Sequence, residues 1–229
     1  MATFDALADS YDSTRGDDEV VQAITDLLAP VLSTGGRMLD LAAGTGLFTS
    51  AAEAEGNAVV SLDLSLPMLR RAVARGARRP LQGDGAALPL RARSFESVLA
   101  VRLFQLVDDP RPILAELARV LRPGGVLAVT PVWPSRPRDA IGRAYWDAGQ
   151  RVRAWTRRLA AAASDAGFRD HRTARGPRQS TRRSPNEEIA RLASLWGRPP
   201  SARHPLRSIP EPNAPIAIDT THHLLLLLR

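Results

Sequence analysis

Apolar side chains at Val20, Val21, Ile24, Leu27, Leu28 and Val31 keep the three-and-four spacing of a helix with one buried face. A short apolar run over 37–42 then reads as a strand, and Ala43-Gly-Thr-Gly46 turns the chain into a second helix over 47–55. The alternation continues. It predicts a strand over 58–63, a helix over 66–75, a brief strand over 81–84 and another over 97–101. A helix over 112–121 opens on proline and stops at Arg122-Pro-Gly-Gly125, and a fifth strand follows over 126–130. Short strands alternating with helices imply parallel pairing through right-handed crossovers. The expected fold is α/β: a doubly wound, mainly parallel sheet. Ligands of such sheets sit beyond the carboxyl ends of the strands.

The pattern weakens after Val132. Residues 138–166 are compatible with helix, and 168–181 with a strand or twisted hairpin. Ser184-Pro-Asn-Glu187 is a capping box that starts a helix running to about Trp196. Six prolines within 198–215 predict an irregular segment. The leucine-rich end from Pro215 fits either a further strand or a loose tail. The organisation expected is a core over 1–135, a helical and stranded completion over 136–197, and a proline- and leucine-rich tail over 198–229, disordered if it stays loose.

The chain has 229 residues, enough for one such domain with an appendage. It contains no cysteine, which excludes disulfides, thiolate metal sites and thiol nucleophiles. All 31 basic residues are arginine, so lysine chemistry is excluded too. Residues 1–135 hold 13 Arg against 16 Asp and Glu, whereas 136–229 hold 18 against 8. Any polyanion-binding surface would therefore lie in the second part. No apolar run has membrane-spanning length and the start shows no secretory pattern, so no membrane partner is expected and the cytoplasm is the expected location. The four histidines do not combine with acidic residues at ligand spacing, and no metal site is expected.

Three acidic residues carry the chemistry. Asp40, Asp63 and Asp84 close three successive predicted strands. The turn Gly44-Thr-Gly46 lets the backbone approach a ligand. The third glycine of a dinucleotide fingerprint is missing, and a carboxylate at Asp40 suits an ammonium group better than a pyrophosphate. Asp63 can accept hydrogen bonds from a ribose diol, and Asp84 from an adenine amino group. Together they suggest a nucleoside that bears a cation.

The motifs resemble those of class I S-adenosylmethionine-dependent methyltransferases of the small-molecule type. Leu39-Asp-Leu-Ala-Ala-Gly-Thr-Gly46 is similar to the first family motif and Ser61-Leu-Asp-Leu-Ser-Leu-Pro-Met-Leu69 to the second. Gln82 to Leu90, Ser94 to Val98 and Leu121 to Leu127 follow in the family's order. The resemblance implies a Rossmann-like methyltransferase fold and S-adenosyl-L-methionine as cofactor. It implies that Asp40 helps hold the amino acid end, that the turn from Gly44 to Gly46 passes close beside it, and that Ala42 is also at the cofactor. Asp63 would bind the ribose, Leu64 the adenine face, and Asp84 and Gly85 the adenine edge, with Met68 also at the cofactor. Val101 would face the sulfonium, and Tyr11 and Arg15 would close over the methionine portion. Ala42 stands where the family often has glycine, which is acceptable if its φ is negative. The histidine pair frequent at Gln105 and Leu106 is absent.

Methyl transfer needs in-line placement more than a general base. Arg102, Gln105, Trp133 and Tyr145 are the candidates on the acceptor side, and no catalytic base is assigned. The expected reaction is transfer to a small-molecule acceptor. RNA methylation through the arginine-rich region is the alternative, as is a non-catalytic cofactor-binding accessory role; nucleic acid is not the expected partner. A homodimer is left open.

Overall fold

The computed structural model describes residues 2–12, 18–32, 35–130, 132–134, 157–196 and 205–229. Helix α1 (Ala2–Leu7) and α2 (Asp18–Leu32) precede β1 (Arg37–Leu41), α3 (Leu47–Ala54), β2 (Ala58–Asp63), α4 (Leu66–Ala74) and β3 (Pro80–Gln82). Then come β4 (Phe95–Val101), α5 (Arg111–Val120), β5 (Leu121–Thr130) and β6 (Val132–Pro134). Residues 157–165 form α6, followed by β7 (Asp170–Arg183), α7 (Pro185–Trp196) and β8 (Ile216–Leu228).

Strands β3, β2, β1, β4 and β5 lie side by side in that order, all parallel. The chain order reverses between β1 and β4, so the carboxyl ends of these two strands frame the switch point. Strand alternation sorts the core into two layers. Leu39, Leu41, Val98 and Val129 pack with Leu114, Leu117 and Leu159 from α5 and α6. Met38, Leu99 and Ala128 pack with Ile24, Leu28 and Ala52 from α2 and α3. This is the doubly wound sheet that the alternation predicts.

One feature departs from the sequence reading and another resolves an open one. The stop at Arg122-Pro-Gly-Gly125 is an excursion inside β5, because Leu121 stands opposite Phe95 and Val126 opposite Ser97. Gly125 sits so tightly that a Cβ would meet Arg122 O at 2.9 Å. The Gly124 amide donates to Arg229 O and the Arg229 amide to Gly125 O, which ties the excursion to the end of the chain. The leucine-rich end takes the first of its two readings, a further strand. It is β8, antiparallel between β5 with its extension β6 on one edge and β7 on the other. Leu224, Leu225 and Leu227 are buried. A continuous apolar run suits a strand covered on both faces, which a loose tail could not bury. The capping box forms as read: Glu187 Oε2 accepts the Ser184 amide at 2.6 Å and Ser184 Oγ the Glu187 amide at 3.2 Å.

Candidate functional site

At the carboxyl ends of β1, β2 and β4 lies a cavity of about 340 Å3. A smaller recess of about 50 Å3 shares Tyr11, Ala42, Gly44, Val101 and Arg102 with it, so the two are parts of one cleft.

The turn after β1 builds the floor. Ala42, Gly44 and Gly46 all adopt left-handed backbone, with φ of 59°, 56° and 78°. Ala42 is thus a correction to the expected negative φ. The Ala43 amide is held by Leu62 O, and Gly44 donates its amide to Asp63 Oδ2 at 2.8 Å. Gly46 lines neither part of the cleft. A Cβ there would lie 2.9 Å from the Ala72 Cβ, so this glycine lets α3 pack against α4.

Asp63 ends β2 and accepts a second amide, from Ser65, through Oδ1 at 2.8 Å. Burial raises its pKa, and the two amides partly offset that effect. Each carboxylate oxygen has two lone pairs, so both can still accept from a hydroxyl in the cavity. Asp40 is 2% exposed and lies on the other side of the turn, in the smaller recess. The Thr49 hydroxyl donates to its Oδ2 at 2.6 Å. Burial outweighs this bond and the Asp63 charge adds to it, which pushes the Asp40 carboxyl up to about 6.

Leu64 is 42% exposed and its carbonyl accepts from Gln82 Nε2, so the apolar side chain stands as a shelf beside the cavity. Met68 lines the wall below. Asp84 and Gly85 form the rim, where Asp84 Oδ1 caps its own turn by accepting the Ala86 amide at 2.8 Å. Val101, at the end of β4, lines both parts of the cleft. Arg102, with φ of 56°, and Gln105 lie on the far side. Arg15 and Tyr145 fall outside the described residues, as does the side chain of Trp133, whose backbone is in β6.

The sequence reading missed Phe4, Asp5, Ser65, Gly83 and a wall of Leu103, Leu106, Val107 and Ile113. That wall had a signal: three apolar residues crowd a predicted loop at the ligand end of the sheet. For Phe4 and Asp5 the family resemblance placed only their segment, through Tyr11 and Arg15, because their own placement depends on long-range pairs. Asp5 accepts from the Ser65 hydroxyl, Asp9 pairs with Arg71 at 2.8 Å, and Asp12 accepts from both Thr45 and Arg75.

Residues 39–129 match the family model described as a methyltransferase domain. With this fold, that stretch resembles a class I S-adenosylmethionine-dependent methyltransferase domain. The chain is 39% identical over 138 residues to a demethylmenaquinone methyltransferase of Clavibacter sepedonicus; the match covers 56% of each chain, so it spans little more than half of that relative. Among solved structures it resembles a Thermotoga maritima methyltransferase described as a possible histamine N-methyltransferase, at 20% identity and a TM-score of 0.60 over 99% of this chain and 98% of that one. A cyclase shares the fold at 20% identity and a TM-score of 0.55, covering 90% of this chain and 80% of the other. The fold alone therefore does not fix the reaction.

Proposed function

We propose that the protein transfers a methyl group from S-adenosyl-L-methionine to a small-molecule acceptor. One observation carries this reading: a single cleft is bordered by Asp40 and Asp63 from the ends of β1 and β2 and by Asp84 just after β3, around a left-handed backbone bend. The donor set fits the cofactor. Asp63 retains lone pairs for two ribose hydroxyls, and Leu64 offers an apolar face for the base. Asp84 offers an acceptor for its amino group, and Asp40 a negative charge for the ammonium.

When bound, the cofactor supplies a methyl group already activated by the adjacent sulfonium. The chain's own residues then bind, orient and exclude water. Val101 would back the sulfonium, while Phe4 and Tyr11 from the N-terminal segment would cover it. The apolar wall of Leu103, Leu106, Val107 and Ile113 supports an acceptor with an apolar ring or chain, in keeping with the quinone for which the Clavibacter relative is named. Orientation of this kind supplies roughly 7–11 kcal/mol of barrier lowering, while a general base adds only about 10²–10⁴-fold in rate.

The test is calorimetry with S-adenosylmethionine and S-adenosylhomocysteine, followed by transfer of labelled methyl to a panel of hydroquinones, phenols and amines. Binding of both cofactor forms with label incorporated into one acceptor class is the expected result. Binding without transfer to any acceptor would favour the accessory role, and no binding would refute the reading.

A further inference from the structure

We infer that the Glu116–Arg119 pair on α5, which lies outside the cleft, positions the turn over 84–87 and so sets the selectivity of the site for adenine. This rests on the reading of the cleft as the S-adenosylmethionine site. The pair grips the loop between β3 and β4 at three main-chain atoms. Glu116 Oε2 accepts the Leu88 amide at 2.7 Å, while Arg119 donates to Leu88 O at 2.9 Å and to Leu90 O at 2.7 Å. Both main-chain groups of Leu88 are therefore held by one fork, whose halves are locked together through Nε–Oε1 at 2.7 Å and Nη2–Oε2 at 2.8 Å.

The buried Leu88 side chain also packs in the core with Ile113, Leu114 and Leu117 of α5, while the fork holds its main chain. The loop has no strand partner between Gln82 and Phe95. Upstream of Leu88 its own bonds are Ala86 and Ala87 donating to Asp84, and Gly83 donating to Asp63 O. The turn that carries Asp84 is thus fixed at one end by β2 and at the other by the fork. Gly85 leaves little slack between them, since a Cβ there would lie 3.3 Å from Leu41 Cδ1 and 3.7 Å from Ile113 Cγ1. The Asp84 carboxylate is exposed, and only a fixed turn can hold it where it accepts from an amino group and repels a carbonyl. A lysine at 119 could not span two carbonyls and a carboxylate, because it lacks the planar fork.

The experiment measures, on the full chain, the affinity for S-adenosylhomocysteine and for its hypoxanthine counterpart, which carries a carbonyl in place of the amino group. The wild type should prefer adenine by about tenfold or more. Arg119→Ala and Arg119→Lys should bring that preference to within about threefold and weaken adenine binding by about tenfold. Glu116→Gln retains an oxygen for the Leu88 amide and should keep more of the preference than Glu116→Ala. Asn57→Ala, which removes bonds to Leu32 O and Ala52 O on the other side of the sheet, serves as a control: it should lower the Tm and leave the preference intact. The inference is overturned if Arg119→Ala lowers the Tm but retains the full preference, or if the wild type binds both ligands equally. Absence of any S-adenosylhomocysteine binding would instead overturn the reading of the cleft itself.

Discussion

Asp63 Oδ2 accepts the Gly44 amide at 2.8 Å, so one hydrogen bond joins the ends of β1 and β2 across 19 residues of chain. The same carboxylate holds the Ser65 amide, which makes it the brace of the cleft and, under the proposed function, the group that would take the ribose. Asp63→Ala removes an acceptor for two partly buried amides, and should lower affinity for S-adenosylhomocysteine by about 1–3 kcal/mol. Asp63→Asn keeps one oxygen acceptor and should lose less stability than alanine while still binding weakly. Calorimetry and thermal melts separate the two effects; unchanged affinity in both variants would remove Asp63 from the site.

Asp40 predicts a pH dependence with opposite signs for stability and binding. Its carboxyl titrates near 6 in the folded chain and near 3.8 unfolded, so the native state holds the extra proton between these values. Stability therefore rises as pH falls from about 7 toward 4, and the ionised group costs the fold about 3 kcal/mol at neutral pH. Under the proposed function the ammonium of the cofactor needs that ionised form, so affinity should fall by up to about tenfold per pH unit below 6. Asp40→Asn should raise the Tm at pH 8, not at pH 4.5, and weaken binding at pH 8. Melts and titrations across pH 4.5–8 check both halves.

Two residues of the same turn should respond oppositely to a change of one methyl group. Ala42 holds φ of 59°, a conformation that costs an L-residue roughly 1–2 kcal/mol. Ala42→Gly should stabilise the chain by up to about 1 kcal/mol, less than the full strain because glycine gives the unfolded chain more freedom. Gly46→Ala adds both that strain and a 2.9 Å contact with the Ala72 Cβ, and should destabilise by at least about 2 kcal/mol. Denaturant melts of the two variants would show the contrast.

The N-terminal segment is held by pairs of unequal worth. Asp9 and Arg71 are 94% and 46% exposed, so solvent screens the pair. Arg75 and Asp12 are 35% and 38% exposed, and Arg75 also donates to Thr45 O in the glycine turn. Arg75→Ala should speed release of bound S-adenosylhomocysteine several-fold, and Arg71→Ala should change it little. Stopped-flow displacement at low and high salt distinguishes them, and equal rates in both variants would show that these pairs do not hold the cover.

The order of strands and helices through Thr130 was readable because each crossover unit repeats a local hydrophobic period, and because glycine and proline mark its ends. Asp40 and Asp63 were readable for the same reason, since a residue near the end of a parallel strand faces the ligand edge whatever the rest of the chain does; Asp84 instead lies two residues beyond β3, which ends at Gln82 and not at Asp84 as the pattern predicts. Local pattern could not place β8. Five consecutive leucines satisfy a strand, a helix or a collapsed tail equally, and only the open edge of β5 and the length of β7 select the strand. Nor could spacing show that Gly46 packs against Ala72 while Gly44 faces the cleft, or that Asp40 is buried deeply enough to titrate near 6. Those properties depend on which atoms from distant segments exclude water from a group. Tertiary structure alone decides that, because desolvation and close contact are set by neighbours in space and not along the chain.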